Sequence, residues 1–132
     1  MHYGFIYCLT NDCVPGMCKI GFTERAPSQR CLELSASTSA PRDFNIEFYV
    51  EVEGASAIER RIHQAFSECR VNPGREFFRC TPAEAYHWMM QNADFATSYM
   101  GGDCCFELDK LIEANIAARK AIANASSDEE VA

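Results

Sequence analysis

The sequence has no long hydrophobic run, and no segment approaches the roughly 18 consecutive apolar residues that a membrane-spanning helix needs. The first residues also lack a basic segment followed by an apolar stretch, which is the pattern of a secretory signal. We therefore expect no membrane span and a cytoplasmic protein.

The cysteines lack the C-x-x-C spacing of common zinc and redox motifs. There are eight of them, at positions 8, 13, 18, 31, 69, 80, 104 and 105. Without a secretory signal, reduced thiols that lie mostly in the core are the expected state. This spacing disfavours a structural zinc site.

Positive charge is scarce in the second part of the chain. The formal net charge is −7; residues 1–80 contain nine Lys/Arg and ten Asp/Glu, whereas residues 81–132 contain three and nine. The acidity therefore belongs to the C-terminal part. It argues against strong non-specific binding of nucleic acid but permits a local basic cleft within the first 80 residues.

The 132 residues suit one domain. Strand periodicity covers residues 3–10, 17–23 and 44–52, and the first two form a hairpin across turn-prone residues. Helical spacing or capping residues mark 28–37, 55–69, 81–93 and 106–123. Residues 76–80 form a short apolar strand fragment. Small and turn-forming residues predict a loop over 35–41 and a turn over 72–74.

The hairpin brings Tyr7 and Lys19 close together. A phenol and an ammonium in one small site can move a proton and hold a phosphate, and the ammonium would favour the phenolate. On a later helix, Glu59 and His63 are four residues apart and share a face. A carboxylate and an imidazole in this arrangement suit a divalent metal and a proton relay.

Five short motifs follow one another in order: Gly4-Phe5-Ile6-Tyr7, Lys19-Ile20-Gly21-Phe22-Thr23, Arg30, Glu59 with His63, and Glu76-Phe77-Phe78. Together they resemble the GIY-YIG nuclease superfamily over residues 3–80. The similarity is closest to its phage-type branch, in which the second motif contains K-I-G.

The resemblance implies an α+β (α/β) fold, with a small three-stranded antiparallel sheet flanked by helices, and a nuclease-like core over 1–80. It also implies hydrolysis of DNA phosphodiester bonds with Mg²⁺ or Mn²⁺, by a protein of phage or mobile-element origin. Residues beyond 80 lie outside the resemblance: their helical spacing predicts extra C-terminal helices over 81–125, and their composition predicts an acidic disordered tail over 126–132.

The resemblance also implies catalytic roles. Tyr7 would activate the attacking water as a base or a relay, and Lys19 occupies the position of the usual second tyrosine. Arg30 would steady the scissile phosphate. Glu59 would hold the metal, with His63 one turn later. Tyr3 is an alternative to Tyr7, because the first motif is one residue longer than G-I-Y.

Three further cations, Arg25, Arg70 and Arg75, are candidates for contacting DNA together with Lys19 and Arg30; the alternative is that they are scattered solubilising charges. Glu76 is interpreted as structural, paired with a basic neighbour.

A second hypothesis is a binding module that keeps the fold but contacts a protein or nucleic acid, since an acidic C-terminal helix and tail can dock a basic partner. The helix at 106–123 could also pair two chains. The intact set of five catalytic candidates favours the enzyme.

Overall fold

The computed structural model describes residues 2–37, 42–72 and 74–131, with side chains described to residue 125 in the last helix. The strands are β1 (Tyr3–Thr10), β2 (Cys18–Thr23), β3 (Asn45–Glu53), β4 (Phe77–Phe78) and β5 (Thr97–Met100). The helices are α1 (Pro27–Ser35), α2 (Ala55–Ala65), α3 (Pro82–Asn92) and α4 (Gly102–Val131), with a 3-10 turn at Ser67–Cys69. Parts of the predicted loop and turn, residues 38–41 and 73, lie outside the described residues.

The sheet has five antiparallel strands in the order β4-β2-β1-β3-β5. The α+β class is as expected, but the expectation of three strands is wrong. The two additional strands are short and lie at the sheet edges, and β5 is mostly exposed. An edge strand of this length needs no alternating apolar pattern, so the sequence carries little signal for it.

The hairpin register places alternate residues on two faces of the sheet. Tyr7 pairs with Gly21 and Leu9 pairs with Lys19, so all four lie on one face. Helix α1 covers part of this face, where Tyr7, Leu9 and Cys31 form a small buried cluster.

The main core lies on the opposite face, between the sheet and the helices α2, α3 and α4. It joins strand residues such as Ile6, Ile20 and Phe48 to Met89 of α3 and Leu108 of α4. The core therefore includes residues from both sides of the predicted boundary at 80. The division into core, extension and tail stays a prediction.

The helix boundaries differ modestly from those expected. The predicted capping box of α3 is confirmed, since Thr81 and Glu84 cap each other. Helix α2 ends at Ala65, where a 3-10 turn takes over. Helix α4 begins four residues before the predicted start and continues to Val131, so the expected span of 106–123 was too short.

All eight cysteines carry free thiols, and five of them are buried, as expected for core residues. In the described part of the chain, no helix has the length and apolar character needed to cross a membrane.

Candidate functional site

The site lies along the part of one β2 edge that has no partner strand in the described structure. Within β2, strand β4 pairs with Cys18 and Lys19 and no further, because it is two residues long. Past it, the Ile20 N–H donates to the Glu76 carbonyl at 3.1 Å. The Phe22 N–H, on the same edge two residues later, donates to the Glu59 carboxylate. Side chains from both faces of the sheet can therefore meet here.

Gly21 leaves the space in which the site assembles. A Cβ at this position would lie 2.5 Å from the Tyr7 hydroxyl oxygen and 2.9 Å from Glu76 Oε2. Both oxygens therefore lie directly over the glycine. Tyr3, the alternative tyrosine, pairs with Glu53 at the far end of β1 and is 44% exposed, so Tyr7 is the tyrosine at this place.

Tyr7 is almost fully buried and is hydrogen-bonded to Arg30 of α1. Burial raises the pKa of the Tyr7 phenol, and the Arg30 hydrogen bond opposes this only in part. The expectation that Lys19 would favour the phenolate was wrong: the cation that contacts the phenol is Arg30, and the net shift of the pKa is upward. Arg30 also lies 3.5 Å from Glu33.

Lys19 lies two residues along β2 from Gly21, on the same face of the sheet. Its Nζ is 3.3 Å from Glu76 Oε2 and 5.5 Å from the centre of the Phe77 ring. The Lys19 side chain is only 15% exposed. The prediction that Glu76 pairs with a basic neighbour is confirmed, and this pairing holds the ammonium at the site.

Glu59 approaches the same edge from α2. Burial, followed by the nearby negative charge of Glu76, raises the pKa of the Glu59 carboxyl to about 7. The Phe22 N–H and the charges of Lys19 and Arg70 act in the opposite direction. Two carboxylates that repel each other in a partly buried place favour a bound cation or proton between them.

His63 docks α2 onto β2. Its Nε2 lies 2.7 Å from the carbonyl oxygen of Ile20. Since a carbonyl only accepts, this nitrogen carries the proton and donates it. The ring also packs on Phe78, with centroids 5.0 Å apart. The structure gives His63 a positioning contact, and its predicted catalytic role stays a prediction.

The remaining predicted DNA contacts have different surroundings. Arg25 is exposed and forms a two-pronged ion pair with Glu33, at 2.6 and 2.7 Å. Arg70 lies over the Phe78 ring, and its Nε donates to the Arg75 carbonyl at 2.8 Å. Arg75 is exposed near Lys19, around a shared cavity. Lys19 and Arg70 are thus the cations whose charges act on Glu59, and Arg30 contacts Tyr7. Arg25 is instead paired with Glu33 of α1 on the surface.

The donor set suits a hydrated hard cation. Across the described residues, no group of three or more His, Cys, Asp or Glu side chains could hold a metal ion. Glu59 offers one carboxylate, with Glu76 close enough to raise its pKa. Oxygen donors in small number are what Mg²⁺ accepts while it keeps several waters, and Mn²⁺ shares this preference.

Comparison with models of protein families shows which family the chain belongs to. A model of the T5orf172 domain matches residues 4–93. The chain belongs to the T5orf172 domain family. This family is phage-associated and related to nuclease-type folds. No curated protein and no solved structure matches the chain.

The T5orf172 match ends at residue 93, in the loop after α3, and so covers β1 to β4 together with α1 to α3. All of the site residues lie within it. The finer assignment to the GIY-YIG superfamily stays a prediction.

Sequence reasoning missed two parts of this T5orf172 site. Gly21 was part of a motif, but its role in making room for Tyr7 and Glu76 depends on cross-strand pairing. Glu76 was interpreted only as structural, although its carboxylate lies beside Tyr7 and acts on Glu59. The available signal was its place directly before Phe77-Phe78, in the segment predicted as a short strand fragment; the pairing of that strand with Lys19 is visible only in the structure.

Proposed function

We propose that this T5orf172 domain is a metal-dependent endonuclease that hydrolyses phosphodiester bonds of DNA. The observation that carries the proposal is the convergence of one phenol, two cations and two carboxylates at the open edge of β2. A phosphodiester is anionic, so its hydrolysis requires neutralisation of charge as well as activation of water.

Arg30 and Tyr7 are proposed to act as a pair on the scissile phosphate. A guanidinium has only donors, so Arg30 donates to the Tyr7 oxygen and leaves the phenolic proton free to donate. The raised pKa keeps Tyr7 neutral at physiological pH. The phenol is therefore suited to donate to a phosphate oxygen or to relay a proton, rather than to act as a standing base.

Glu59 is the residue that would hold Mg²⁺ or Mn²⁺. Such a cation, when bound, supplies Lewis-acid stabilisation of the charge on a phosphate oxygen or on the leaving oxygen. Burial and the repulsion from Glu76 raise the pKa of Glu59, and a cation held there would relieve that repulsion. Glu76 keeps Lys19 oriented towards the site, and His63 keeps α2 against β2.

The test is cleavage of supercoiled and linear DNA in Mg²⁺, in Mn²⁺ and in EDTA. We expect metal-dependent cleavage that Glu59→Gln reduces at least about 100-fold and that Tyr7→Phe also reduces strongly. Glu113→Gln, at an exposed position of α4, is the matched control for loss of one carboxylate and should cleave normally.

Equal cleavage by wild type and Glu59→Gln would exclude Glu59 as the metal ligand. A folded wild-type protein that cleaves no DNA under any of these conditions would contradict the enzyme and favour a binding module.

A further inference from the structure

A cavity of about 450 Å³ adjoins the candidate site on the α1 face of the sheet. It lies between the loop that joins β1 to β2, the end of α1 and the segment before β4. Its walls are mainly apolar, and Val14, Met17 and Leu34 contribute to them. The aromatic part consists of Phe44 and Phe77, whose ring centroids are 6.4 Å apart.

We propose that this cavity binds one unpaired nucleobase of a DNA strand whose backbone lies at the cleavage site. The inference rests on the proposed function, which supplies the strand. A nucleobase is a flat heterocycle with apolar faces, and stacking on aromatic rings is its most general mode of binding.

The charges support a nucleotide over an apolar peptide. Lys19 lines the cavity and also belongs to the site, since its ammonium lies between Glu76 and the Phe77 ring. Arg75 is an exposed cation that also lines the cavity. A base inside would have its backbone phosphates beside these two cations, while the next phosphate along the strand lies towards Tyr7 and Arg30.

The size of the cavity agrees with this occupant. Its volume is within the range of about 300–1,000 Å³ that is typical of small-molecule sites. A base enters such a cavity only when it is unpaired or turned out of a duplex, and the free-energy cost of this is least for a strand that is already single. A single strand is therefore the more sensitive probe.

The experiment compares two short single-stranded oligonucleotides of equal length in EDTA, one of thymidylate and one with abasic sugars throughout. Fluorescence anisotropy gives the dissociation constant of each strand with the full-length protein. We expect about 5- to 150-fold tighter binding of the thymidylate strand, the range expected for stacking of one base.

Two cavity-filling variants locate the contact. Val14→Trp and Met17→Trp should abolish the difference between the two strands and leave binding of the abasic strand unchanged. Leu32→Trp is the matched control, because Leu32 is 71% exposed on α1 and does not line the cavity. This variant should retain the difference.

Equal binding of the two strands by wild type, or no binding of either, overturns the cavity proposal whether or not the variants fold. A difference that folded Val14→Trp and Met17→Trp both retain also overturns it. A difference that Tyr99→Ala removes would overturn it as well and assign the bases to the exposed Tyr99 ring, which stacks on the half-buried Tyr49.

The binding test needs no cleavage. Absence of DNA hydrolysis with a retained difference would contradict the proposed function alone. Hydrolysis of DNA by a protein that binds the two strands equally would contradict the cavity proposal alone.

Discussion

At the scale of single residues, Gly21 sets the geometry of the site. The space beside its Cα is occupied by the Tyr7 hydroxyl and the Glu76 carboxylate, both within 3 Å of where a Cβ would lie. The Tyr7 ring is fixed by burial, so it cannot move aside without disturbing the cluster around Leu9 and Cys31. An added methyl group therefore acts on the chemistry and on the packing together.

We predict that Gly21→Ala lowers the free energy of unfolding by about 1–3 kcal/mol, the usual cost of overpacking. It should also reduce DNA cleavage more than about 10-fold by displacing Tyr7. Chemical denaturation and the cleavage assay measure the two effects. Gly74→Ala is the matched control, since among the described residues its Cβ would meet only Asn72 Oδ1, at 3.5 Å. Unchanged cleavage in Gly21→Ala would show that Tyr7 need not occupy its observed place.

Glu59 links the site to the pH dependence of stability. Without divalent cations, burial and Glu76 keep the pKa of the folded-state carboxyl at about 7, against 4.5 as the reference value. Between these two values the folded state binds more protons than the unfolded state, so stability falls as pH rises. The loss is complete above pH 7 and absent well below pH 4.5.

We therefore predict that Glu59→Gln, which cannot ionise, raises Tm in EDTA above pH 7 and changes it less near pH 4.5. Thermal unfolding at the two pH values measures this, with Glu113→Gln as the control for a change of net charge. A lower Tm of Glu59→Gln above pH 7 would contradict the burial and repulsion inferred for this carboxylate.

At the scale of elements, helix α2 fits against strand β2 because the spacing of its two contact residues matches the spacing of their partners along the strand. Glu59 and His63 are four residues apart, a rise of about 6 Å along a helix. Their partners Phe22 and Ile20 are two residues apart, about 6.7 Å along a strand. Both side chains can therefore bond to the same open edge, which carries α2 to the site.

Helix α4 divides into a packed half and an exposed half. Cys104 and Leu108 are buried against the body, and Leu111 and Ile112 pack on the core. All described side chains from residue 116 to residue 125 are exposed.

We predict that truncation after residue 116 shifts Tm by less than about 2 °C, as for other surface changes. Truncation after residue 107 removes Leu108 and its apolar neighbours and should cost about 3 kcal/mol or more. Calorimetry of the two proteins tests this. A large loss from the shorter deletion would reveal a contact of the exposed half, such as pairing with a second chain.

At the scale of the whole molecule, the burial of the thiols indicates how far solvent is excluded from the core. Cys8, Cys18 and Cys80 form a buried group, with 3.5 Å between the sulfurs of Cys18 and Cys80. Burial raises the pKa of Cys8 and, to about 12, that of Cys104. The thiols of Cys8 and Cys104 are therefore poor nucleophiles in the folded protein.

We predict that two thiols, Cys13 and Cys105, react quickly with a disulfide reagent such as DTNB, and that the half-buried Cys69 reacts more slowly. The other five should react only at the rate of unfolding. Counting released thiolate with and without denaturant measures this. Fast reaction of four or more thiols under native conditions would contradict the packed core.

Much of the fold was accessible from the sequence, because long amphipathic segments carry their own periodicity. The first strand was predicted with its observed bounds, and the α3 capping box was predicted residue by residue. The edge strands could not be counted, since β4 has two residues and β5 buries few of its side chains. Whether such short strands form depends on which neighbouring strand has unpaired backbone groups along its edge.

The sequence by itself determined the chemical types at the site and their order along the chain: a phenol, an ammonium, a guanidinium and a carboxylate with a histidine one turn later. It also determined the hairpin, because alternation and a turn are local properties.

Only the tertiary structure decided which groups meet. In the folded protein the Tyr7 phenol is hydrogen-bonded to Arg30 rather than to Lys19. Lys19 forms an ion pair with Glu76, and His63 donates to the β2 backbone. The physical reason is that hydrogen-bond partners and desolvation depend on distances across strands and between layers, and these distances are not encoded at any single position. The pKa values of Tyr7 and Glu59 follow from that packing.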